Sequence, residues 1–240
     1  MKQKINSSIT VKIAACIAAI SIIFSSCLDN DKNYGTEVQV AGIALINAAP
    51  GSPNLDLIGD GQREILPQPF AYDSAIAYLP AYPGFRVFGF TLHNSYNLLA
   101  SQQFYLHPGD AYSIFLADTL GNAKLFGFKD SLHLSDSSRI GIRFANMSPN
   151  STSLDLYITD STNSLVNNIA FGKASDFTNI ATPVSGKISF QIKENGSNTV
   201  LATLPETEIK KGRIYTVWAK GFENATVDSL KAGLSIMRNK

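Results

Sequence analysis

The stretches that decide the fold are INAAPGSPNLDL at residues 46–57 and ANMSPNSTSLDL at residues 145–156, which are copies of one motif at an offset of 99 residues. Each copy has Asn, then Pro three residues later, then Leu-Asp-Leu. Further along, Phe70-Ala71-Tyr72 aligns with Ile169-Ala170-Phe171, and Gly109 and Tyr112 align with Gly212 and Tyr215. A period near 100 residues is too long for a solenoid repeat, but it is the size of a small domain. The repeat therefore predicts two tandem domains.

Each copy consists of short apolar stretches between Gly-, Pro- and Asn-containing turns, which is the pattern of β-strands. No stretch has a sustained helical period. The predicted strands are Gly42–Ile46, Leu55–Ile58, Phe85–Leu92, Leu98–Tyr105 and Tyr112–Ala117 in the first copy, and Ile140–Asn146, Leu154–Thr159, Lys187–Lys193, Thr199–Leu204 and Ile214–Ala219 in the second. The sequence predicts an all-β fold, with tandem immunoglobulin-like β-sandwiches at residues 38–130 and 139–240. The Ser- and Asp-rich segment Asp130–Ser138 is the predicted boundary.

The Asn-x-x-Pro opening, the Leu-Asp-Leu strand and the late Gly-x-x-Tyr strand resemble the family known as domain of unknown function 4397. The resemblance covers roughly residues 40–118 and 139–220. It implies a secreted or lipid-anchored bacterial β-sandwich, often present in tandem copies. The family brings no catalytic residues, so none are carried over to this chain.

The first 26 residues have the three parts of a secretory signal peptide. Lys2 and Lys4 form a positive start, residues 13–24 are an apolar run broken only by Ser21, and Ser25-Ser26-Cys27 follows. A helix over that run covers roughly 18 Å, which is less than the ~30 Å hydrocarbon core of a bilayer. A signal peptide is therefore predicted, rather than a membrane-spanning helix.

Cys27 follows small residues at the end of the apolar run, which resembles the lipobox of bacterial lipoproteins, where the cysteine carries lipid. Cys16, after Ile13-Ala14-Ala15, matches the four-residue pattern better, but only Cys27 uses the whole apolar run. We predict lipidation of Cys27, a polar tether at residues 27–37 and the membrane as a partner through the lipid anchor. Asp29 and Asp31 resemble the export signal of Bacteroidota lipoproteins, which implies the outer membrane and its cell-surface side; the periplasmic side is the alternative.

Composition excludes several classes of function. The formal net charge is +1 with no Lys/Arg-rich run, so nucleic acid is not an expected partner. Both cysteines lie in the first 27 residues, so the domains contain no disulfide. The histidines His93, His107 and His133 lack partners at metal-ligand spacing, and no nucleotide-binding or nucleophile motif is present. No catalytic, cofactor or metal site is predicted.

Two features remain as candidate sites. Asp56 and Asp155 repeat between the copies, and they are interpreted as structural aspartates that bond backbone, because they would lie in different domains. The first copy is also rich in aromatic residues, and Phe85, Phe88 and Phe90 cannot all face inward on one regular strand. These aromatics are predicted to form core, or an exposed platform for sugar rings or a partner protein.

The predicted function is a non-enzymatic cell-envelope lipoprotein that acts as a binding, structural or adhesion module for a glycan or an envelope or extracellular protein. The alternative is an envelope carbohydrate-active or accessory enzyme with an unrecognised carboxylate pair. Five Asp-Ser/Thr pairs also match the pattern that Bacteroidota glycosylate, with acceptors at Ser74, Thr119, Ser131, Ser161 and Ser229. Asp-Ser and Asp-Thr are also good turn dipeptides, and both interpretations stay open here.

Overall fold

In the computed structural model, residues 39–240 are described, and they form one compact unit with its own hydrophobic cores. A unit of this kind can fold on its own. The predicted signal peptide, the lipidation at Cys27 with its alternative Cys16, and the tether at 27–37 lie outside the described residues. Within residues 39–240, no helix has the length and apolarity needed to cross a membrane.

The first copy is a sandwich of two four-stranded sheets. Its strands are β1 (Ala41–Asn47), β2 (Leu55–Gly59), β3 (Gln62–Glu64), β4 (Ala75–Ala81), β5 (Gly84–Leu92), β6 (Leu98–Leu106), β7 (Ala111–Ala117) and β8 (Lys124–Asp130), with a 3₁₀ turn at Leu120–Asn122. The inner sheet has the order β4-β1-β7-β8, and the outer sheet has the order β3-β2-β5-β6. Strands β1 and β7 are parallel, whereas the other neighbours are antiparallel.

The second copy repeats this arrangement. Its strands are β9 (Arg139–Asn146), β10 (Leu154–Ile158), β11 (Val166–Ile169), β12 (Lys173–Ala174), β13 (Thr178–Ala181), β14 (Lys187–Glu194), β15 (Val200–Glu208), β16 (Ile214–Lys220) and β17 (Gly233–Arg238), with a 3₁₀ turn at Asp228–Leu230. The inner sheet is β12-β9-β16-β17, with β13 also paired to β9, and the outer sheet is β11-β10-β14-β15. The predicted tandem β-sandwich fold is confirmed, and every predicted strand is present.

Each sandwich has its own core, and a third apolar cluster lies between the two sandwiches. The first core includes Leu45 and Phe90, and the second includes Ile142 and Phe190. The cluster between them contains Ala44, Ile46, Ala48, Phe115, Ala117, Ala145, Met147 and Trp218. The central strands of both inner sheets are therefore buried on both faces. This explains why they read as continuous apolar runs rather than as alternating patterns.

The Asn of the repeated motif is a buried clamp for its own loop. Asn47 donates from Nδ2 to the carbonyl of Phe70, and its Oδ1 accepts from the amide of Ala49 and the hydroxyl of Ser52, at 3.0–3.1 Å. In the second copy, Asn146 makes the same bonds to the residues 99 positions further along. The motif therefore satisfies buried polar groups in both copies, and it has no chemistry to offer a ligand.

The repeated tyrosine is also structural. The hydroxyl of Tyr112 accepts a hydrogen bond from the amide of His107 at 3.0 Å, and the hydroxyl of Tyr215 accepts one from the amide of Lys210 at 2.8 Å. Each bond ties the start of a central strand to the turn five residues upstream. This resembles the tyrosine corner of immunoglobulin-like sandwiches.

Strand β8 ends at Asp130 and β9 begins at Arg139, so the connection lies within the predicted boundary. Asp130 itself is not part of a solvated linker. Its carboxylate pairs with the guanidinium of Arg143, and the two side chains are 0% and 2% exposed. Separate folding of the two domains stays a prediction.

The Asp130–Arg143 pair belongs to a closed ring of hydrogen bonds between the copies. Tyr78 donates to Asp130, Arg143 donates to Thr216 at 3.0 Å, Thr216 donates to Asn239 at 2.7 Å, and Asn239 donates back to Tyr78 at 2.9 Å. Ser113 also donates to Asp130, at 2.7 Å. We name these six residues the interface ring. It satisfies most of the buried polar atoms involved, although Nε of Arg143 has no partner within the described residues.

Candidate functional site: an aromatic face on the first sandwich

The outward side of β5 and β6 carries an exposed pair of aromatic rings. Phe85 and Tyr105 are cross-strand partners, and their ring centroids are 4.9 Å apart at 70°, which is edge-to-face geometry. Phe85 is 66% exposed and Tyr105 is 49% exposed. The ring of His107 packs edge-to-face with that of Tyr105, with the ring centroids 4.8 Å apart. The exposed Val87 lies opposite Gln103 on the neighbouring strand. We name Phe85, Val87, Tyr105 and His107 the aromatic face.

The alternation of a β-strand explains why these rings point outward. Phe88 and Phe90 are buried in the first core, so Phe85 and Val87, at odd-numbered positions, lie on the opposite side of β5. The register from Gly84 with Leu106 to Phe90 with Ala100 is continuous, so no bulge reverses this alternation. The aromatics are therefore divided: Phe88 and Phe90 form core, whereas Phe85 and Tyr105 are exposed. A platform for sugar rings or a partner protein stays a prediction.

The second copy shows that the fold does not need aromatic residues at this place. Gly59 and Ile158 are equivalent by the offset of 99 residues, and they pair with Phe88 and Phe190, so these two phenylalanines are equivalent as well. Three residues before them on their strands lie Phe85 and Lys187, which are therefore equivalent too. Lys187 pairs across the strands with Glu208, and its ammonium lies 4.0 Å from the carboxylate of Glu206. The same sandwich position is therefore charged in one copy and aromatic in the other. The aromatic pair is a special feature of the first copy.

An ion pair fixes the start of β5 next to this face. Arg86 donates from Nη1 to Asp60 at 2.9 Å, and the other oxygen of Asp60 accepts from the amide of Val87 at 2.8 Å. The hydrogen bond from the backbone amide of Val87, and then the hydrogen bond from Arg86, lower the pKa of Asp60 below its ordinary value. Asp60 is thus an anchor that stays ionised near neutral pH, and it is unsuited to donate a proton.

Comparison with known proteins places this architecture in a family. The family model described as Domain of unknown function (DUF4397) matches residues 41–157 and 141–232. The chain belongs to the DUF4397 family. No curated protein matches it in sequence.

Several solved structures are similar to this DUF4397 protein at low identity. A streptococcal virulence factor described as binding alpha-glucan is 12% identical, with 83% of this chain and 97% of that chain covered and a TM-score of 0.27. A DUF3823 family protein from Bacteroides ovatus ATCC 8483 is 11% identical, with 71% and 98% covered and a TM-score of 0.21. A candidate cell adhesion protein from Bacteroides fragilis NCTC 9343 is 11% identical, with 84% and 98% covered and a TM-score of 0.24.

The two repeated aspartates bond the backbone of nearby turns, as predicted. Asp56 accepts from the amide of Asn94 at 2.9 Å and lies 2.8 Å from Nδ1 of His93. Burial alone would raise the pKa of Asp56, but the bonds from His93 and Asn94 outweigh it and the pKa is lowered. Asp155 accepts from the amide of Asn168 at 2.7 Å. The two carboxylates lie in separate sandwiches of this DUF4397 protein, so they do not form a pair.

The three histidines are not brought together. His93 contacts Asp56, His107 contacts Tyr105, and His133 lines a polar cavity beside Arg143. Among residues 39–240, no group of three or more His, Cys, Asp or Glu side chains could hold a metal ion.

The proposed glycosylation acceptors differ in their surroundings. Asp73, Asp118 and Asp160 have positive φ values of 66°, 75° and 65°, which Asp tolerates better than most residues. The Ser or Thr that follows each of them is hydrogen-bonded within its own turn and is only partly exposed. Turn formation therefore accounts for these three pairs. Ser131 and Ser229 are exposed, and they are the acceptors best placed to carry a glycan.

Proposed function

We propose that this protein is a non-catalytic binding module of the cell envelope that holds a neutral oligosaccharide on its aromatic face. The observation that carries the proposal is the exposed Phe85–Tyr105 pair at a position where the second copy has Lys187 and Glu208. Anchoring through lipid on Cys27 would place this face outside the membrane. The anchor and the location remain predictions from the sequence.

The chemistry of the face suits a sugar. A pyranose ring presents C–H groups that pack on aromatic rings, and its hydroxyls need donors and acceptors at the edge. The exposed side chains of Gln103 and Ser101 lie on β6 beside the rings, and both side chains can donate and accept. Tyr105 adds a hydroxyl to its apolar ring. The residues of the face carry no formal charge when His107 is neutral, which favours a neutral ligand over a charged one.

The size of the face favours a small ligand over a protein. From typical aromatic side-chain areas and the exposed fractions, the apolar surface amounts to roughly 300 Å². A stable protein interface buries roughly 800 Å² on each partner. Apolar patches of a few hundred Å² on monomers are often functional. A short oligosaccharide covers such a patch completely, whereas an envelope protein would need a much larger contact.

The test exchanges the pair between the copies. In residues 39–240, the double variant Phe85→Lys/Tyr105→Glu puts the charged pair of the second copy into the first, so the sandwich is expected to fold. Binding to a glycan array, and titration of the best neutral glycan, are compared with the wild type. Loss of two stacking contacts of about 0.5–1.5 kcal/mol each predicts a roughly five- to 150-fold weaker affinity.

The matched control is the charge reversal Lys187→Glu/Glu208→Lys in the second copy, which should bind as the wild type does. Equal glycan binding by the Phe85/Tyr105 variant, or no glycan binding by the wild type, would refute the proposal. Release of shorter sugars during incubation would instead favour the alternative of a carbohydrate-active enzyme.

A further inference from the structure

A cavity enters the first sandwich between its two sheets. Its volume is about 330 Å³. The inner sheet contributes Ile43 and Leu79 to its wall, and the outer sheet contributes Leu57 and Phe88. The volume of about 330 Å³ is within the range of small-molecule sites, and it is roughly twice the ~150 Å³ of an apolar cavity that takes up benzene. The wall is apolar, and polar side chains occur at the rim.

The second copy has larger apolar residues at two positions equivalent to those beside this cavity. Gly59 and Ile158 occupy the same position, because they lie 99 residues apart, at the offset of the Leu-Asp-Leu motif that begins both strands. Their cross-strand partners are Phe88 and Phe190. Arg86 lies two residues before Phe88 on β5, and its equivalent, two residues before Phe190 on β14, is Ile188. Ile188 is buried in the second core. Ile158 packs against that core as well. The first sandwich therefore lacks two isoleucine side chains that pack in the second core.

An unfilled apolar cavity destabilises a fold, because its wall loses packing contacts. The second copy shows that isoleucines at these two positions are compatible with the sandwich. The open form in the first copy therefore favours a role for the space itself.

The rim selects the type of ligand. Asp60, Glu64 and Arg86 lie there, with a net formal charge of −1. Arg86 is already bound, since it donates to Asp60 at 2.9 Å and to the carbonyls of Tyr82 and Pro83 at 2.9 and 3.0 Å. A carboxylate head would meet a negative rim with no free guanidinium, whereas a hydroxyl could donate to a carboxylate oxygen. From these features we infer that the cavity binds a small neutral molecule with an aliphatic body and a hydroxyl head.

This site is separate from the aromatic face. Arg86 and Phe88 lie on the inward side of β5, whereas Phe85 and Val87 lie on its outward side. The two sites share a strand but not a surface. Occupancy of the cavity is therefore expected to be independent of the proposed glycan binding.

The experiment uses residues 39–240 and the neutral probe N-phenyl-1-naphthylamine, whose fluorescence rises in an apolar site. The wild type should bind the probe saturably, and 1-octanol should displace it. Octanoate should compete roughly two- to fivefold more weakly than 1-octanol, because its charge meets the negative rim. Absence of saturable probe binding, or stronger competition by octanoate, would overturn the inference.

The decisive variant is Gly59→Ile, which copies the second sandwich. The added Cβ would lie 3.0 Å from the flexible end of Glu64, which can move aside. We expect at least roughly tenfold weaker probe binding, together with a higher melting temperature because the cavity is filled. Thr203→Ile, on the exposed outer sheet of the second copy, is the control for added hydrophobicity and should bind as the wild type does. If Gly59→Ile no longer melts cooperatively, Arg86→Ile takes its place in the same probe-binding experiment. Unchanged probe affinity in the folded Gly59→Ile variant would refute the site. The Phe85→Lys/Tyr105→Glu variant should bind the probe as the wild type does.

Discussion

Removing one partner of the buried Asp130–Arg143 pair should destabilise the joined sandwiches strongly. Arg143→Met leaves the Asp130 carboxylate buried, with only Ser113 and Tyr78 as donors. Breaking a buried pair in this way costs about 3–5 kcal/mol, since the remaining charge is uncompensated. This is a large part of the ~5–15 kcal/mol by which whole domains are stable. The loss should be measured as a free energy of unfolding in urea on residues 39–240.

The double variant separates the effect of charge from that of packing. Asp130→Asn keeps an acceptor for Ser113 and Tyr78 but leaves Arg143 unpaired, so it should also cost about 3–5 kcal/mol. Asp130→Asn/Arg143→Met removes both charges, and it should lose clearly less than the sum of the single variants. Losses below about 1 kcal/mol for both single variants, or simple additivity in the double variant, would refute this account of the interface.

Trp218 provides a local probe for the same experiment. It is the single tryptophan of the chain, it is almost fully buried, and it packs on Phe115 across the two sandwiches, with ring centroids 6.3 Å apart. Its fluorescence should therefore report the separation of the sandwiches, while circular dichroism reports their strands. In Arg143→Met, the fluorescence change should precede the dichroism change if each domain folds separately, as the sequence predicts. Lys231→Met, which breaks the exposed ion pair with Asp228, is the control for the free energy of unfolding and should cost less than about 1 kcal/mol.

Three further predictions concern pH, lipidation and glycosylation. Burial, and then the charge of Asp73, raises the pKa of Tyr72 to about 12. An unfolded tyrosine ionises near pH 10, so the unfolded chain loses this proton at a lower pH than the folded chain does. The free energy of unfolding should therefore fall between about pH 10 and pH 12. The melting temperature of Tyr72→Phe should therefore fall less steeply over that window, and equal slopes would contradict the assignment. Cys27→Ala should abolish labelling of the full chain by a fatty-acid analogue in the native host, whereas Cys16→Ala should keep it; the reverse pattern would move the anchor. Intact mass of the protein from that host should show hexose-scale additions that decrease in Ser131→Ala but not in Ser74→Ala, and a mass equal to the lipidated polypeptide would end the glycosylation hypothesis.

The candidate site was only partly accessible from the sequence. The excess of aromatics in the first copy is visible in its composition, and strand alternation shows that Phe85 cannot share a face with Phe88 and Phe90. The sequence does not show that Phe85 and Tyr105 become cross-strand partners, because pairing depends on the register of β5 with β6. The cavity depends on Gly59 and Arg86, which stand where the second copy has Ile158 and Ile188. Gly59 aligns with Ile158 at the offset of 99 residues, but Arg86 aligns with Ile188 only at an offset of 102 residues. That alignment needs the strand pairing as its guide, since the copies drift out of step after their first segments.

The sequence by itself determined the all-β class, the presence of two repeated sandwiches and the position of most strands. These properties depend on local chemistry: residues with preset or positive φ form the turns, and apolar residues recur with the period of a strand. Only the tertiary structure decided that the inner sheets pack against each other and that Asp130 is buried. In the sequence, Asp130 stands at the start of a Ser- and Asp-rich run that has the composition of a solvated linker. Its burial depends on Arg143, on a different strand, and on hydroxyls from both copies, and such long-range partners have no local signature.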